Sequence, residues 1–294
     1  MPRALLLTAL PDVQADDNAA LLAPALRARG WRTRTACVDS LQLTASAVRV
    51  DGDGEALDLR EQDLIWVLGF GRREGFLDKM QLLASVAETV PFVNDVGALL
   101  LLHGKYPQGR ADPRFPQPPT LAAATPEPLV EGAREAGGRW VLKPPGGSFG
   151  RGVHVLDADA ADFAATLRRL HEAGTWQLLQ RFVPEVAAGE HRVLVAGGEV
   201  IGTYRRRPTE GPSNLASGGI AEPAAPDPAR DALARAAAAW LLERGVRFAG
   251  LDLAGPWVLE ANIVNPGGLA TLKALDGIDR APRVVAALLA SIGA

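Results

Sequence analysis

The stretch Gly250-Leu251-Asp252-Leu253-Ala254-Gly255-Pro256-Trp257-Val258-Leu259-Glu260-Ala261-Asn262 holds two carboxylates and an amide that could work together. Two short extended runs, Phe248 to Leu253 and Trp257 to Ala261, flank a Gly-Pro turn. Side chains alternate along a strand, so Glu260 and Asn262 share a face, and Asp252 joins them across the hairpin. Magnesium takes hard oxygen ligands, commonly one or two carboxylates together with substrate phosphates. The trio fits that chemistry. Any one of these acids alone reads as a solvated hairpin residue; the three together, ahead of Asn265-Pro266-Gly267-Gly268, read as a metal and phosphate site.

A second segment supplies the partner chemistry. Lys143-Pro144-Pro145-Gly146-Gly147-Ser148-Phe149-Gly150-Arg151-Gly152 lies between two strand-like runs. Glycine lets backbone N–H groups approach anionic oxygens, and Lys143 adds a point charge at the base of the loop. By itself the loop is a glycine-rich turn, and the Walker pattern G-x-x-x-x-G-K-[ST] is absent. Gln180-Arg181-Phe182-Val183 ends a strand where backbone could meet an adenine, and Glu190 follows at a distance suited to ribose hydroxyls. Each reads alone as a domain link, as Lys105 reads alone as a surface lysine.

These pieces need a scaffold. With 294 residues, 48% hydrophobic, the chain can bury a large core spread over two or three lobes. A net charge of -3, from 31 basic and 34 acidic residues, leaves no footprint for nucleic acid or an acidic membrane. Cys37 is the single cysteine, which favours a reducing compartment and no zinc. Met1 to Leu10 reads as a first strand rather than a signal peptide, and no apolar run approaches the roughly 20 residues that span a bilayer. A cytoplasmic protein is expected.

Ala4 to Thr8, Asn18 to Arg29 and Thr33 to Val38 form a strand–helix–strand unit, and Asp63 to Leu68, Phe76 to Glu88 and Pro91 to Asn94 repeat it. This predicts a parallel-sheet lobe with ligands at its strand ends. Two α+β lobes follow, one with Trp140 to Lys143 and Val153 to Leu156. The other has Arg192 to Val195, Val200 to Arg205 and two Ala-rich helices, Pro228 to Arg244 and Ala281 to Ile292. Asp227 is placed to cap the first of these, with Pro228 at its first turn. Within Arg205-Arg206-Arg207, alternation points Arg206 opposite its neighbours. His103, His154, His171 and His191 show no ligand spacing, and of these only His191 stands beside nucleotide candidates.

In this order, the motifs resemble the ATP-grasp superfamily, and within it bacterial glutathione synthetases, over nearly the whole chain. Val93-Asn94 leads to Lys105, and Leu142-Lys143-Pro144 opens the glycine-rich lid. Gln180 to Pro184 and Gly189 to Val195 are similar to the family's Gln-x-x-x-Pro and Gly-Asp-x-Arg-Val-Leu-Val. Arg206-Arg207-Pro208 and Asn214-Leu215-Ala216-Ser217-Gly218-Gly219 resemble its Ala-Arg-x-Pro and Asn-Leu-Ala-Ala-Gly-Gly. Gly250-Leu251-Asp252 and Glu260-Ala261-Asn262 match the final pair. The resemblance implies an α/β ATP-grasp fold: an N-terminal parallel-sheet lobe over 1–102, a central lobe with the lid over 103–180, and a C-terminal lobe with the metal site over 181–294.

It also implies a carboxylate–amine ligase acting through an acyl phosphate, with ATP, two magnesium ions (manganese able to substitute) and an amino acid or dipeptide substrate, in a homo-oligomer. ATP is then held by Lys105, Lys143, Gly147, Ser148, Gly150, Gln180, Arg181, Phe182, Val183, Glu190 and Arg192, and metal by Asp252, Glu260 and Asn262. Arg206 with Gly218 and Gly219 faces the tetrahedral oxyanion. Substrate contacts fall to Arg72, Asp78, Asn214, Pro266, Gly267 and Gly268. Arg72 to Asp78 is similar to the family's Arg-Lys-Asp-x-x-x-Asp.

Two departures bear on substrate. Pro212-Ser213 stands where these synthetases carry an arginine, and Val264 to Gly268 replaces their Thr-Ser-Pro-Thr. Other readings are a ligase with different substrates, a non-catalytic ATP-binding regulator, and a nicotinamide-dependent oxidoreductase. The last rests on Gly69-Phe70-Gly71-Arg72-Arg73-Glu74-Gly75 between a strand and a helix, a loose variant of the dinucleotide fingerprint.

Overall fold

The computed structural model describes residues 1–9, 18–52, 54–106, 112–146, 152–171, 174–207 and 219–293. The chain opens with β1 (Arg3–Thr8), α1 (Asn18–Ala28) and β2 (Arg32–Cys37). Three short strands, β3 (Gln42–Leu43), β4 (Val48–Gly52) and β5 (Glu55–Asp58), form a small antiparallel sheet added to the strand–helix–strand pattern. Then come β6 (Leu64–Val67), α2 (Phe76–Ala87), β7 (Phe92–Val93) and α3 (Val96–Leu102). Strands β2-β1-β6-β7 form a parallel sheet in that order. The apolar runs of β1 and β6 do not alternate because both faces are covered. Leu5 and Leu7 share a core with α2 and α3, while Ala4 and Leu6 pack with α1.

A second sheet, ordered β10-β9-β11-β8, is built from β8 (Thr120–Ala123), β9 (Arg139–Lys143), β10 (His154–Asp157) and β11 (Gln177–Arg181). Helices α4 (Pro126–Ala136) and α5 (Phe163–Leu170) cover it, and Leu129, Ala133, Trp140, Leu142, Phe163 and Leu167 make a core of its own.

The third sheet, ordered β14-β13-β12-β15-β16, is antiparallel. Its strands are β12 (Glu190–Ala196), β13 (Glu199–Arg207), β14 (Ile220–Pro223), β15 (Phe248–Ala254) and β16 (Trp257–Asn262). Helices α6 (Pro228–Leu242), α7 (Leu269–Asp276) and α8 (Ala281–Ile292) complete it. The Asp227 carboxylate accepts from Ala229 N at 3.0 Å and Arg230 N at 3.1 Å, capping α6 as its sequence signals.

First and third sheets share continuous cores, in which Leu5 and Ile65 join Val193 and Leu251, and Trp66 meets Phe248 edge to face. Asn94 fastens this junction. Its Nδ2 donates to Phe248 O at 2.8 Å and Ile263 O at 2.6 Å, and its Oδ1 accepts from Arg247 N and Phe248 N. Buried amides keep such positions only when their hydrogen bonds are met.

Candidate active site

Cross-strand register builds the site. Glu190 pairs with Arg206 and Arg192 with Tyr204 between β12 and β13; Arg192 pairs with Asp252 between β12 and β15; Asp252 pairs with Glu260 and Gly250 with Asn262 between β15 and β16. Directly opposed residues share a face. One face of the sheet therefore carries Glu190, Arg192, Tyr204, Arg206, Asp252, Glu260 and Asn262. On the other face Val193, Val195, Ala249, Leu251 and Leu253 pack with Ala234, Ala237, Ala238 and Leu241 of α6. Gly250 must lack a side chain, because a Cβ there would lie 2.9 Å from Pro266 Cβ and 3.2 Å from Arg192 Cδ.

Asp252 is the centre of the polar face and is only 6% exposed. Arg192 Nε donates to its Oδ1 at 2.7 Å and Arg192 Nη2 to its Oδ2 at 3.1 Å, while Arg192 Nη1 donates to Gly267 O at 2.9 Å. Arg206 Nη2 lies 2.6 Å from Asp252 Oδ1 and donates to Glu190 Oε2 at 3.0 Å. Asn262 Nδ2 donates to Asp252 Oδ2 at 3.1 Å. Burial pushes the Asp252 carboxyl up, but Arg192 and Arg206 outweigh it and hold the group well below the usual carboxylate range.

Two lysines face this cluster. Lys105 Nζ is 3.1 Å from Glu260 Oε2, and Lys105 N donates to Pro145 O at 3.1 Å, tying the residues after α3 to the loop that leaves β9. Lys143 Nζ, at the end of β9, donates to Gln180 Oε1 at 2.8 Å. Gln180 Nε2 donates in turn to Thr120 Oγ1 at 3.1 Å, and that hydroxyl donates to Pro118 O at 2.9 Å. Burial pulls the Lys143 amine below the ordinary lysine range, opposed mainly by Glu260. Four cations, Lys105, Lys143, Arg192 and Arg206, thus meet three carboxylates, Glu190, Asp252 and Glu260. Among the described residues one positive charge is left over in the cleft, which suits a polyanion.

The remaining sequence candidates divide clearly. Arg181 turns its side chain away from the cleft: its guanidinium bonds to Gly137 O and lies over Trp140, with 5.4 Å to the ring centroid. Backbone N–H groups of Arg181 and Phe182 donate to Pro119 O and Arg139 O, so they are not offered to a base. Arg139 stacks on the Phe182 ring at 4.1 Å, and Val183 is buried. Gln180 accepts from Lys143 Nζ. Pro266 and Gly268 are buried, and a Cβ on Gly268 would come within 3.1 Å of Tyr204, so this segment supports Arg192 from behind through Gly267 O. Arg72 and Asp78 are exposed in the segment that follows β6, and both Asp39 oxygens, just after β2, accept from Arg72 N. Gly219 leads into β14. Gly147, Ser148, Gly150, Asn214 and Gly218 lie outside the described residues, as does Pro212-Ser213.

Asp252, Glu260 and Asn262 lie on the neighbouring strands β15 and β16. Among the described residues no three His, Cys, Asp or Glu side chains gather as a ready metal centre. Asp252 and Asn262 touch, whereas Glu260 is engaged by Lys105. The donors are nevertheless hard oxygens on neighbouring strands, and they fit a divalent ion accompanied by phosphate better than a bare one. The glycine-rich turn after β6 is not an open phosphate cradle. A Cβ on Gly69 would lie 2.4 Å from Ala9 N, and one on Gly71 2.3 Å from Asp39 Oδ1.

Four residues carry weight that alternation does not reveal: Asn94, Thr120, Tyr204 and Asn18. Tyr204 is buried beside Arg192. Asn18 Nδ2 reaches from α1 to Asn265 Oδ1 at 2.7 Å and Pro266 O at 3.0 Å. For Asn18, Asn94 and Thr120, a polar residue at a strand or helix end is the signal that could have found them.

Solved structures with this architecture define the class as an ATP-grasp fold. A RimK-domain ATP-grasp protein from Sphaerobacter thermophilus matches with a TM-score of 0.69 at 24% identity, over 98% of this chain and 100% of that one. D-cycloserine synthetase matches with a TM-score of 0.70 at 19% identity, over 97% and 98%. The family model for the ATP-grasp domain of prokaryotic glutathione synthetase matches residues 113–277, and the chain belongs to that family. It is 35% identical over 178 residues to a glutathione synthetase of Prochlorococcus marinus, covering 60% of this chain and 58% of that protein. It is 37% identical over 160 residues to one of Parasynechococcus marenigrum, covering 53% and 52%. The matches thus span little more than half the length of these relatives.

Proposed function

We propose that the cleft binds ATP with magnesium and joins a carboxylate to an amine, releasing ADP and phosphate through an acyl phosphate. The observation that carries this reading is the convergence of Lys105, Lys143, Arg192 and Arg206 on the Glu190–Asp252–Glu260 face. Phosphoryl transfer asks a protein mainly for positioning and charge neutralisation, and this arrangement supplies both. Lys143, fixed by Gln180 and Thr120, presents its amine to phosphate. Lys105, tied to Pro145 after β9 and paired with Glu260 of β16, spans the second and third sheets. Asp252, Glu260 and Asn262 would hold magnesium, which when bound neutralises phosphate oxygens and orients the transferred group. Arg206, with the backbone of Gly218 and Gly219, is assigned to the oxyanion formed when the amine attacks. Glu190 takes the ribose hydroxyls, and lobes at 1–102, 103–180 and 181–294 belong to the same reading. Among the described residues no helix is long and apolar enough to cross a membrane.

For substrates, kinship with glutathione synthetases supports γ-glutamylcysteine and glycine. Pro212-Ser213, in place of the family's arginine, favours a second reading in which another acidic peptide or amino acid is the carboxylate partner. The test is magnesium-dependent ADP release with a panel of γ-glutamyl dipeptides, glutamate and other amino acids, with products weighed. An ¹⁸O label on the substrate carboxylate should appear in the released phosphate. ADP release with γ-glutamylcysteine and glycine alone supports the first reading, and release with another pair the second. ATP binding without ADP release from any pair would overturn the ligase assignment and leave a nucleotide-binding protein.

A further inference from the structure

We infer that Arg206 is an exchange residue: it seals Asp252 against metal in the nucleotide-free protein and passes to the incoming phosphates when the metal takes its place. The inference rests on the reading of the cleft as a metal and nucleotide site. It begins with the Asp252 oxygens. An ionised carboxylate offers about four acceptor positions, and here all four are filled. Oδ1 takes Arg192 Nε at 2.7 Å and Arg206 Nη2 at 2.6 Å, and Oδ2 takes Arg192 Nη2 and Asn262 Nδ2, both at 3.1 Å. A metal bond to either oxygen, at about 2.0–2.1 Å for magnesium, requires a donor to leave.

The surroundings select which donors go. Arg192 is anchored three ways, to both oxygens and to Gly267 O, in space that the missing side chain of Gly250 provides. Its release would strand a buried guanidinium. Arg206 divides a single Nη2 between Glu190 and Asp252, and its buried Nε has no partner among the described residues. An orphaned buried donor is costly, and an anionic ligand oxygen would satisfy it. A half-turn of the Asn262 amide, which gives up its long 3.4 Å bond to Gly250 O, replaces Nδ2 by Oδ1, removing a donor from Asp252 and adding a hard oxygen in one movement.

Charge favours the same exchange. A bare divalent ion entering alone meets described residues that already carry one excess positive charge, Lys105, Lys143, Arg192 and Arg206 against Glu190, Asp252 and Glu260. Brought with polyphosphate, it meets Arg206 as an attraction rather than a barrier. Metal affinity should therefore depend strongly on nucleotide, and that dependence should reside in Arg206.

The experiment uses Mn²⁺ as the probe and water-proton relaxation enhancement, which separates protein-bound ion from free ion and free nucleotide complex. Wild type, Arg206→Gln and Arg206→Lys are titrated with and without a non-hydrolysable ATP analogue, after thermal melts establish that each folds. Nucleotide-free wild type should bind Mn²⁺ at least tenfold more weakly than nucleotide-free Arg206→Gln, and the analogue should close most of that gap. Arg206→Lys, which keeps the charge, should stay near wild type. Equal nucleotide-free affinity in wild type and Arg206→Gln, with nucleotide-dependent binding intact, would overturn the exchange and leave the metal site standing. No bound Mn²⁺ in any protein with the analogue present would overturn both. Should Arg206→Gln not fold, the wild type decides alone: tight Mn²⁺ binding without nucleotide contradicts the exchange.

Discussion

Arg205, Arg206 and Arg207 are consecutive on β13 and have different fates. Arg205 and Arg207 point outward and share Glu222, at 2.7 Å and 2.9 Å, with side chains 39% and 52% exposed. Arg206 points inward, 7% exposed, between Glu190 and Asp252. Residue type, strand and pairing geometry are nearly the same, so solvent makes the difference. Outside, water and salt screen the pair and leave it worth ~0–1 kcal/mol. Inside, each charge needs its partner, and removing one leaves the other uncompensated. The inner set is thus able to answer a ligand's charge, whereas the outer set is already answered by water.

The comparison can be broken most severely at Asp252. Asp252→Asn should abolish turnover and also destabilise the fold by ~3–5 kcal/mol, because Arg192 and Arg206 lose a buried counter-charge. Denaturant melts and ADP release measure the two effects. Sequence alone predicts loss of turnover with folding intact, and the arginine clamp is the reason to expect otherwise. The folded Asp252 pKa lies below the unfolded value of about 3.9. Its stabilisation is therefore complete above that pH and lost as pH falls through the folded value. Glu260→Gln separates the two effects. With its side chain 23% exposed, Glu260 is less dependent on burial, so turnover should fall ~10²–10³-fold or more with little change in melting.

A smaller effect tests the lysine. Burial lowers the Lys143 pKa, so raising pH removes its charge earlier than for an exposed lysine. Nucleotide affinity, followed by calorimetry, should decline in wild type at a pH below that at which an exposed lysine loses its charge, and Lys143→Met should start weaker and lose that decline. At the α6 cap, Asp227→Ala should lower stability measurably with turnover unchanged, because two backbone N–H groups lose their acceptor. Least of all, Glu222→Gln should leave turnover unchanged and barely shift stability, an effect that added salt erases.

Much of this was legible in the sequence. Period-two alternation put Glu260 and Asn262 on one face and turned Arg206 away from its neighbours, because side-chain direction along a strand is fixed locally. Strand–helix–strand spacing marked β1 and β6 as strands of a parallel sheet. Asp227-Pro228 marked the start of α6. Partners were not legible. Arg192 and Asp252 meet across sixty positions of sequence through sheet register, which depends on the turns and bulges between them. For the same reason Gln180 turns inward to Lys143, and the Arg181 side chain turns outward to Gly137. Alternation also gave no sign that Asp252 would be saturated, since it identifies a face and not the donors that crowd it.

The most direct measurement is magnesium-dependent ADP release by wild type, Glu260→Gln and Glu222→Gln, side by side, with γ-glutamylcysteine and glycine and with the wider panel. The account predicts turnover by wild type and Glu222→Gln with the same substrate pair and essentially none by a folded Glu260→Gln. Wild-type turnover by Glu260→Gln would contradict it, because the inner face would then not be where the phosphate is handled.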